Sequence, residues 1–304
     1  MKIYINDVNE DWIVDRFRKE FYQYNQNIVT TDISKADIIW VISPWAWRKL
    51  PKRFLSKKKV ICTIHHIDEE KFKGKEGKEF YKLDKYVDFY HTISEKSLNQ
   101  LNKLTRKKIY NIPFWVNNKI WFDIPDKDDL KRKYNLPHDN FIIGSFQRDT
   151  EGKDGVSPKL SKGPDHLIKI LKEYKTNQPI FVVLAGRRRQ YVIKNLIENE
   201  IPFKYFENVD LKTLNELYNS LDLYIVSSRI EGGPQAIFEA GLSKTPIIST
   251  NVGAAEEFLA SCSIYKIENF KQAKTDIDAA YNNIIKIKIP QGFARFIEMF
   301  NSLI

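Results

Sequence analysis

The chain has 304 residues, 42% of them hydrophobic, and its 49 Lys and Arg residues against 39 Asp and Glu residues give a net charge of +10. This length and apolar content exclude an intrinsically disordered chain and predict two domains of ordinary size. The basic balance favours anionic partners, such as phosphorylated substrates, anionic membrane surfaces or nucleic acid, without choosing among them.

Short apolar runs alternate with amphipathic stretches from the first residues onward, which is the pattern of βαβ units. In the first third, the predicted strands are Lys2–Ile5, Asp37–Ile42, Val60–Ile64, Tyr90–Ile93 and Lys108–Ile112. Two helices are predicted between them, Trp12–Tyr24 and Glu95–Leu104, and Ser94 is the expected N-cap of the second.

The segment 112–125 is rich in proline and aromatic residues without a period, which predicts a crossover between domains, and a short helix is predicted at Asp126–Tyr134. The predicted strands after it are Phe141–Phe146, Ile180–Ala185, Phe203–Tyr205, Leu223–Val226 and Pro246–Ser249. The predicted helices between them are Pro164–Tyr174, Gln190–Asn199, Lys212–Leu221 and Pro234–Leu242. Residues 268–304 are expected to be helical.

The two halves predict two copies of one fold class, an α/β domain with a doubly wound parallel sheet. We predict a first domain over residues 1–113 and a second over 114–285. A C-terminal helix is predicted over 286–304, with the first domain as its candidate packing surface. Doubly wound domains bind ligands at the carboxyl ends of their strands, and two facing domains would share a central cleft.

The two cysteines and the N-terminal residues indicate the cellular compartment of the protein. Cys62 and Cys262 both lie in apolar stretches, which predicts buried free thiols in a reducing environment. The start of the chain lacks the apolar core of a signal peptide. The longest apolar runs have strand length, against the roughly 20 residues of a membrane span. We expect a cytoplasmic protein, with any membrane contact peripheral and at the inner face.

The most informative segment is Glu231–Glu239 (EGGPQAIFE), which lies between two apolar runs. Its glycines allow close backbone approach, and Pro234 suits a first helical turn. A helix N-terminus favours anions, one acid precedes this helix, and the other lies about one and a half turns inside it. The segment therefore predicts a phosphorylated ligand held near its middle, with hydroxyl groups bound by the carboxylates.

Four segments of the second half occur in the same order as the motifs of a known family. They are a strand with a basic loop (Phe141–Arg148), a Lys-Gly turn (Ser161–Asp165), a second strand (Phe181–Gly186), and an E-x7-E block followed by a strand and a glycine loop (Ser227–Gly253). They resemble the donor-binding domain of retaining GT-B glycosyltransferases of family 4, the glycosyl transferases group 1 family. In the first half, Ile112–Asn117 resembles the crossover of that family and Thr63–His65 its strand-end histidine. Trp115 and Asn117 depart from the family pattern, and the loop between Arg148 and Lys162 is longer than usual.

The resemblance implies a GT-B fold and transfer of a sugar, with retention of configuration, from a nucleotide-diphosphate-sugar donor to an acceptor hydroxyl. No obligatory metal and no other cofactor is implied. Glu231 would contact the hydroxyls of the transferred sugar as a catalytic residue, and Glu239 would hold the ribose. The implied acceptor is a glycan or a lipid-linked molecule in cell-surface glycan, glycolipid or polysaccharide synthesis.

The leaving diphosphate develops negative charge, which cations and N–H groups stabilise. Arg148 and Lys162 are the candidate cations, and Lys153 and Lys159 are alternatives in the same loop. The other candidate donor-binding residues are Gly232, Gly233, Pro234, Gln235 and Gly186. For the charged residues, a solvated loop is the alternative interpretation.

His65 and His66 follow a predicted strand, where sites of α/β proteins lie. In the family, a histidine here approaches the reacting end of the sugar. Adjacent side chains point in different directions, so only one can serve; we favour His65, with a packed or turn histidine as the alternative. No Cys, His and Asp cluster has metal-ligand spacing. Two D-x-D sequences, Asp126–Asp128 and Asp276–Asp278, are predicted to be helix-start acids.

Two further basic segments carry open alternatives. Arg187–Arg189 follows a strand and would reach the diphosphate or an anionic surface, or form a basic surface turn. Residues 40–59 interleave aromatic and cationic side chains. This composition fits a core-facing aromatic set with a basic exterior, a peripheral membrane surface or a single-strand nucleic-acid surface.

Two other functions remain as alternatives to glycosyl transfer. One is a nucleotide-sugar epimerase of the same fold. The other is a non-catalytic basic module that binds nucleic acid or an anionic surface. No RNP, KH or zinc motif supports a nucleic-acid partner, so none is expected.

Overall fold

The computed structural model describes residues 1–9, 13–152 and 154–304, so Trp12 and Lys153 lie outside the described residues. Unit 1 comprises Met1–Trp115 and Pro290–Ile304, and unit 2 comprises Val116–Ile289. The units therefore change at 115/116 and 289/290, where the sequence placed boundaries at 113/114 and 285/286. Val116 N donates to Ile287 O at 3.1 Å and Ile289 N donates to Val116 O at 3.0 Å, so the outgoing and returning segments run side by side.

The first sheet belongs to unit 1 and is parallel. Its strands are β1 (Ile3–Ile5), β2 (Ile38–Val41), β3 (Lys59–Ile64), β4 (Phe89–Thr92) and β5 (Ile109–Asn111), hydrogen-bonded in that order. The chain also passes the free edge of β1, where Ile3 forms a parallel bridge with Val29. With this bridge the spatial order becomes 28–30, β1, β2, β3, β4, β5. The winding direction therefore reverses between β1 and β2, as in a doubly wound sheet.

The helices of unit 1 cover both faces of its sheet. They are α1 (Ile13–Tyr24), α2 (Lys52–Leu55), α3 (Glu69–Lys71), α4 (Gly77–Asp84) and α5 (Glu95–Leu101), with 3₁₀ turns at Ile33–Lys35 and Pro44–Lys49 and a π-helical turn at Phe72–Glu76. Ser94 caps α5 by accepting from Ser97 N, as predicted. Strand alternation sends Ile39 and Val41 into one core and Trp40 to the other face.

The second sheet belongs to unit 2. Its strands are β6 (Phe141–Ser145), β7 (Thr150–Glu151), β8 (Ser157–Pro158), β9 (Ile180–Ala185), β10 (Phe203–Phe206), β11 (Leu223–Val226), β12 (Ile247–Thr250) and β13 (Ile264–Tyr265). Six of them form a parallel sheet of order β10-β9-β6-β11-β12-β13, and β7 and β8 form a short antiparallel hairpin. When the six strands are numbered along the chain, their spatial order is 3-2-1-4-5-6. The winding direction therefore reverses between the first and the fourth strand, β6 and β11, which is the switch point of the sheet.

The helices of unit 2 pack on both faces of this sheet. They are α6 (Lys127–Lys133), α7 (Pro164–Asn177), α8 (Gln190–Glu198), α9 (Leu211–Asn219), α10 (Gln235–Leu242), α11 (Ala255–Phe258) and α12 (Ile277–Ile284), with 3₁₀ turns at Leu160–Lys162, Ser261–Ser263, Phe270–Gln272 and Ile285–Ile287. The two faces form separate cores, one around Ile142 and Tyr224 and the other around Ile143 and Ile225.

The C-terminal segment belongs to unit 1. After a 3₁₀ turn at Gln291–Phe293, helix α13 (Ala294–Asn301) buries Phe296 and Phe300 against Trp40 at ring-centroid distances of 5.4 and 5.3 Å. The prediction of a helical segment over 268–304 was wrong in part. The 3₁₀ turn Ile285–Ile287, extended Lys288 and a turn at Pro290 separate α12 from α13.

Two predictions of burial had different outcomes. Cys62 is buried in β3, as predicted, and burial raises the pKa of its thiol. The prediction for Cys262 was wrong, because it lies in the surface turn Ser261–Ser263 and is exposed. The apolar residues around Cys262 in the sequence pack inward while the turn points its thiol to solvent.

Candidate functional site

The switch point of unit 2 gathers most of the predicted site. After β6 the chain turns toward β9, and after β11 it turns toward β12, so the loops following these two neighbouring strands diverge and leave a crevice. The loop after β6 carries Gln147 and Arg148, and the loop after β11 carries Ser228 and Glu231.

A glycine brings the lysine turn against the end of β11. Gly163 has φ +60°, and a Cβ there would lie 1.9 Å from Ser227 O. Ser161 O also accepts from the backbone N–H groups of Arg229 and Ile230, at 2.8 and 3.1 Å. Only glycine fits this contact, and it places Lys162 beside the loop that leads to Glu231.

Lys162 and Glu231 form an ion pair. Both side chains are mostly buried, with 23% and 14% of their surface exposed. The Ser228 hydroxyl lies 3.1 Å from Glu231 Oε1 and also 3.1 Å from Gln147 Oε1, and it can donate to one of them at a time. Gln147 Nε2 donates to Lys162 O at 2.9 Å, so this glutamine connects the two loops.

Two more cations lie close to Lys162. Burial lowers the pKa of Lys159, and the charges of Lys162 and Arg148 lower it further. Because the charges of Lys162 and Arg148 act on Lys159, these three cations lie close to one another. Arg148 is exposed and donates from Nε to Thr150 O at 2.9 Å. Of the two alternatives to Lys162, Lys159 is therefore in the cluster, and Lys153 lies outside the described residues.

Arg189 is buried, so neither interpretation of Arg187–Arg189 holds for this residue. Its side chain is fully buried and pairs with Asp149, which is 2% exposed. It also donates from Nη1 to Ala185 O at 2.8 Å and from Nη2 to Ser145 Oγ at 3.2 Å. Sequence reasoning missed Asp149. The pair fixes the residue that follows Arg148, and Arg189 acts as a structural anchor of the cationic loop.

The Gly-Gly-Pro segment leads into α10. The helix begins at Gln235, one residue later than predicted, and Pro234 is its N-cap residue. A Cβ at Gly253 would lie 2.2 Å from Gly232 O, so the loop after β12 supports Gly232 through a contact that only glycine permits. Gly233 is half-buried beside Pro234. The first-turn N–H groups of a helix have no partner within the helix and suit an anion.

Glu239 lies inside α10 and is 7% exposed. The Tyr218 hydroxyl donates to Glu239 Oε2 at 3.0 Å. Burial, with the nearby Tyr224 and Glu239, raises the pKa of Tyr218 well above its ordinary value, so this hydroxyl remains a donor. Nothing in the sequence marks Tyr218, which lies in another helix.

Gly186 ends β9 with φ +88°. Its N–H donates to Phe206 O at 3.1 Å, and the Tyr205 hydroxyl donates to its carbonyl at 2.9 Å. Arg187 Nε donates to Asn208 Oδ1 at 2.7 Å. The carboxyl ends of β9 and β10 are thus connected beside the crevice.

His65 lies in unit 1, at the carboxyl end of β3. Its Nε2 lies 2.8 Å from Ile42 O, and a carbonyl only accepts, so Nε2 carries the proton. Burial lowers the pKa of His65 to about 4. The imidazole is therefore neutral at neutral pH, and Nδ1 presents a lone pair. His66 is exposed, whereas His65 is half-buried.

A buried hydrogen-bonded chain, which the sequence did not indicate, lies below these strand ends. Trp40 Nε1 donates to Thr63 Oγ1 at 2.8 Å, Thr63 Oγ1 lies 2.9 Å from His91 Nδ1, and His91 Nε2 donates to Ile112 O at 2.7 Å. Burial lowers the pKa of His91 to about 3. All these polar groups are satisfied internally, so the chain is structural.

The aromatic and basic segment 40–59 divides into buried and exposed residues. Trp40 and Trp47 belong to the core, while Trp45 is 45% exposed. Arg48 forms a bidentate pair with Glu79 at 2.7 and 2.9 Å. The remaining cations of the segment are exposed, except for half-buried Lys58: Lys49, Lys52, Arg53, Lys57 and Lys59.

The two D-x-D sequences start helices, as predicted. Asp126 accepts from Asp129 N at the start of α6, and Asp276 accepts from Ala279 N at the start of α12. Among residues 1–9, 13–152 and 154–304, no three His, Cys, Asp or Glu side chains cluster as a metal site requires. In the same part of the chain, none of the helices combines the length and apolar character needed to span a bilayer.

Comparisons with known proteins bear on the fold and on the family of unit 2. The family profile described as Glycosyl transferases group 1 matches residues 126–287, which lie within unit 2. A probable sucrose-phosphate synthase of Thermosipho melanesiensis is 28% identical over 222 residues, 69% of this chain and 46% of that protein. The capsular polysaccharide biosynthesis glycosyltransferase CapM of Staphylococcus aureus is 25% identical over 256 residues, 77% of this chain and 61% of that protein. The chain thus spans about half to three fifths of these relatives.

Solved structures share the fold over nearly the full chain. HepE of Anabaena, solved in complex with UDP, superposes with a TM-score of 0.76 at 14% identity over 99% of both chains. Sucrose-phosphate synthase of Thermosynechococcus elongatus has a TM-score of 0.69 at 14% identity, over 98% of this chain and 80% of that one. These likenesses confirm the predicted fold class, the α/β GT-B fold.

Proposed function

Because this chain belongs to the glycosyl transferases group 1 family, we propose that it is a retaining glycosyltransferase of family 4. It would transfer a hexosyl group from a uridine-diphosphate sugar to an acceptor hydroxyl, without an obligatory metal. Support for uridine comes from the Anabaena protein HepE, of the same fold and length, which was solved with UDP and with UDP-glucose.

The observation that carries the proposal is the Lys162–Glu231 ion pair at the switch point of unit 2. A nucleoside diphosphate would exchange places with the carboxylate as the partner of Lys162, aided by Arg148 and Lys159. Glu231 would then be free to accept hydrogen bonds from the hydroxyls of the donor sugar. The helix start at Gly232–Gln235 would add backbone N–H groups.

The proposed reaction balances without a covalent enzyme intermediate. The bond between the anomeric carbon and the diphosphate oxygen breaks, and a bond from the acceptor oxygen forms on the same face. The acceptor proton passes to the departing diphosphate, whose charge the cations stabilise. His65 would orient a hydroxyl of the acceptor through Nδ1, and Glu239, fixed by Tyr218, would bind the ribose.

We further propose an acceptor from cell-surface glycan, glycolipid or polysaccharide synthesis, and action at the inner face of the membrane. The relative CapM, named for capsular polysaccharide biosynthesis, supports this acceptor class. Exposed cations such as Lys49, Lys52 and Arg53 would attract anionic lipid. Sedimentation with anionic and neutral vesicles measures the membrane contact, and equal binding to both would contradict it.

Calorimetry with UDP, GDP and ADP tests the donor site. We expect selective binding of UDP, and Glu239→Gln should weaken it by about tenfold to a hundredfold, because a hydrogen bond to a charged group contributes about 1.5–3 kcal/mol. Glu198→Gln, at an exposed position of α8, is the matched control. Unchanged UDP binding in Glu239→Gln would count against the assignment. NMR of the product's anomeric configuration and an assay in EDTA test retention and metal independence.

A further inference from the structure

Hydrogen bonds connect the two loops at the switch point of unit 1. Its switch point lies between β1 and β2, since β1 leads to Val29 on one side and β2 leads to β3 on the other. Asn6 follows β1 and Ser43 follows β2, and both are buried. Asn6 Nδ2 donates to Ser43 O and Ser43 N donates to Asn6 Oδ1, each at 3.1 Å. Two hydrogen bonds thus fix the backbone from which the next residues project.

Trp45 projects from this fixed backbone and keeps much of its indole in solvent. It lies on the 3₁₀ turn Pro44–Lys49, which buries Ala46 and Trp47 at 6% and 4% exposure and leaves Trp45 at 45%. The ring centroids of Trp45 and His65 are 5.8 Å apart, and His65 in turn stacks on buried Phe114. An indole and an imidazole therefore form one ledge at the carboxyl edge of the sheet, where α/β domains bind ligands.

The ledge selects a ligand by its hydrogen-bonding chemistry. His65 Nε2 donates to Ile42 O, so the remaining ring nitrogen offers a lone pair and requires a donor. A phosphate or carboxylate offers only acceptors, and an acyl chain offers neither donor nor acceptor. A pyranose ring has hydroxyl donors at its rim and an apolar face of C–H groups, which suits the negative face of an indole.

We propose that Trp45 and His65 form a stacking subsite for a pyranose ring of the acceptor. The inference rests on the proposed glycosyl transfer and makes it more specific: the acceptor carries a sugar at the position next to the reacting hydroxyl, and a simple alcohol or bare lipid is a poor acceptor. Trp45 binds and positions this ring, while the donor site lies in unit 2.

Saturation-transfer NMR tests the subsite with the full chain and without turnover. The probes are methyl β-D-glucopyranoside, methyl β-D-galactopyranoside and methyl N-acetyl-β-D-glucosaminide, with 1-octanol as the apolar probe. We expect at least one glycoside to bind through the C–H groups of one ring face. Trp45→Ala should weaken this binding by about tenfold or more, and Trp45→Phe by about threefold or less, because the aromatic face is the binding element. Tyr81→Ala, a 52% exposed aromatic position elsewhere in unit 1, should leave it unchanged.

Three outcomes would overturn the subsite: no glycoside binds, a glycoside binds Trp45→Ala as it binds the unmodified chain, or only 1-octanol binds. UDP calorimetry on the same variants separates this failure from failure of the donor site, since Trp45→Ala should bind UDP normally. Once an acceptor is found, Trp45→Ala should raise the KM for the acceptor and leave the KM for the donor unchanged.

Discussion

Replacement of Arg189 by methionine should destabilise unit 2 strongly. The guanidinium is fully buried and donates to Asp149, to two backbone carbonyls and to Ser145 Oγ. Methionine fills a similar volume but leaves the Asp149 carboxylate buried without its cation. Removal of one partner of a buried ion pair costs about 3–5 kcal/mol. For a domain of this size, 1 kcal/mol shifts Tm by about 2–4 °C, so the transition of unit 2 should fall by about 6–20 °C.

Differential scanning calorimetry of the full chain measures this shift, with Arg187→Met as the matched control. Arg187 is exposed two positions away, and its replacement should change stability by about 0.5 kcal/mol or less. The double variant Arg189→Met/Asp149→Asn should recover part of the loss, because it removes the uncompensated charge. A shift below about 3 °C in Arg189→Met, or a double variant no more stable than Arg189→Met, would refute the reasoning.

Two further predictions concern a glycine and a histidine. Gly163→Ala should destabilise the protein by more than Gly155→Ala in urea unfolding: both positions have positive φ and share the strain of about 1–2 kcal/mol, but only Gly163 has a backbone oxygen 1.9 Å from the added Cβ. Equal losses would contradict the contact with Ser227. The free energy of unfolding should fall as pH drops from 6.5 toward 5, because the pKa of His91 is lowered to about 3 and the unfolded chain binds the proton first. The slope from His91 approaches about 1.4 kcal/mol per pH unit, and His65, whose pKa is lowered to about 4, adds a slope of the same sign. His91→Phe should therefore remove about half of the summed slope of the two histidines, and an unchanged slope would assign it to other groups.

The local hydrophobic pattern of the sequence predicted the strands, but it did not predict which distant residues pair with one another. All ten predicted strands are present with ends within one residue, because most of them are apolar runs bounded by turn residues. The Val29 bridge that makes unit 1 doubly wound involves one residue, and a single residue has no period to detect. Arg189 looked like surface charge because its partner Asp149 lies 40 positions earlier, in a loop.

In the candidate site, too, the sequence identified individual residues but not the contacts between them. The motif marked Glu231 and Glu239, and the order of segments marked Lys162, but the ion pair depends on the left-handed Gly163 and its contact with Ser227. Composition grouped Trp45 with Trp40 and Trp47, although only Trp45 points to solvent. Burial of a side chain depends on which face of a turn it occupies, and a 3₁₀ turn of six residues is too short to show that in its sequence.

The return of the chain to unit 1 sets an order of assembly during synthesis. Unit 2 is one continuous segment, Val116–Ile289, so all of its residues are synthesised before Pro290. Unit 1 has its sheet by then but lacks Phe293, Phe296 and Phe300, whose rings contact Phe21, Trp40 and Trp115. Unit 1, although most of it is translated before unit 2, therefore cannot complete its aromatic core until Pro290–Ile304 has been synthesised.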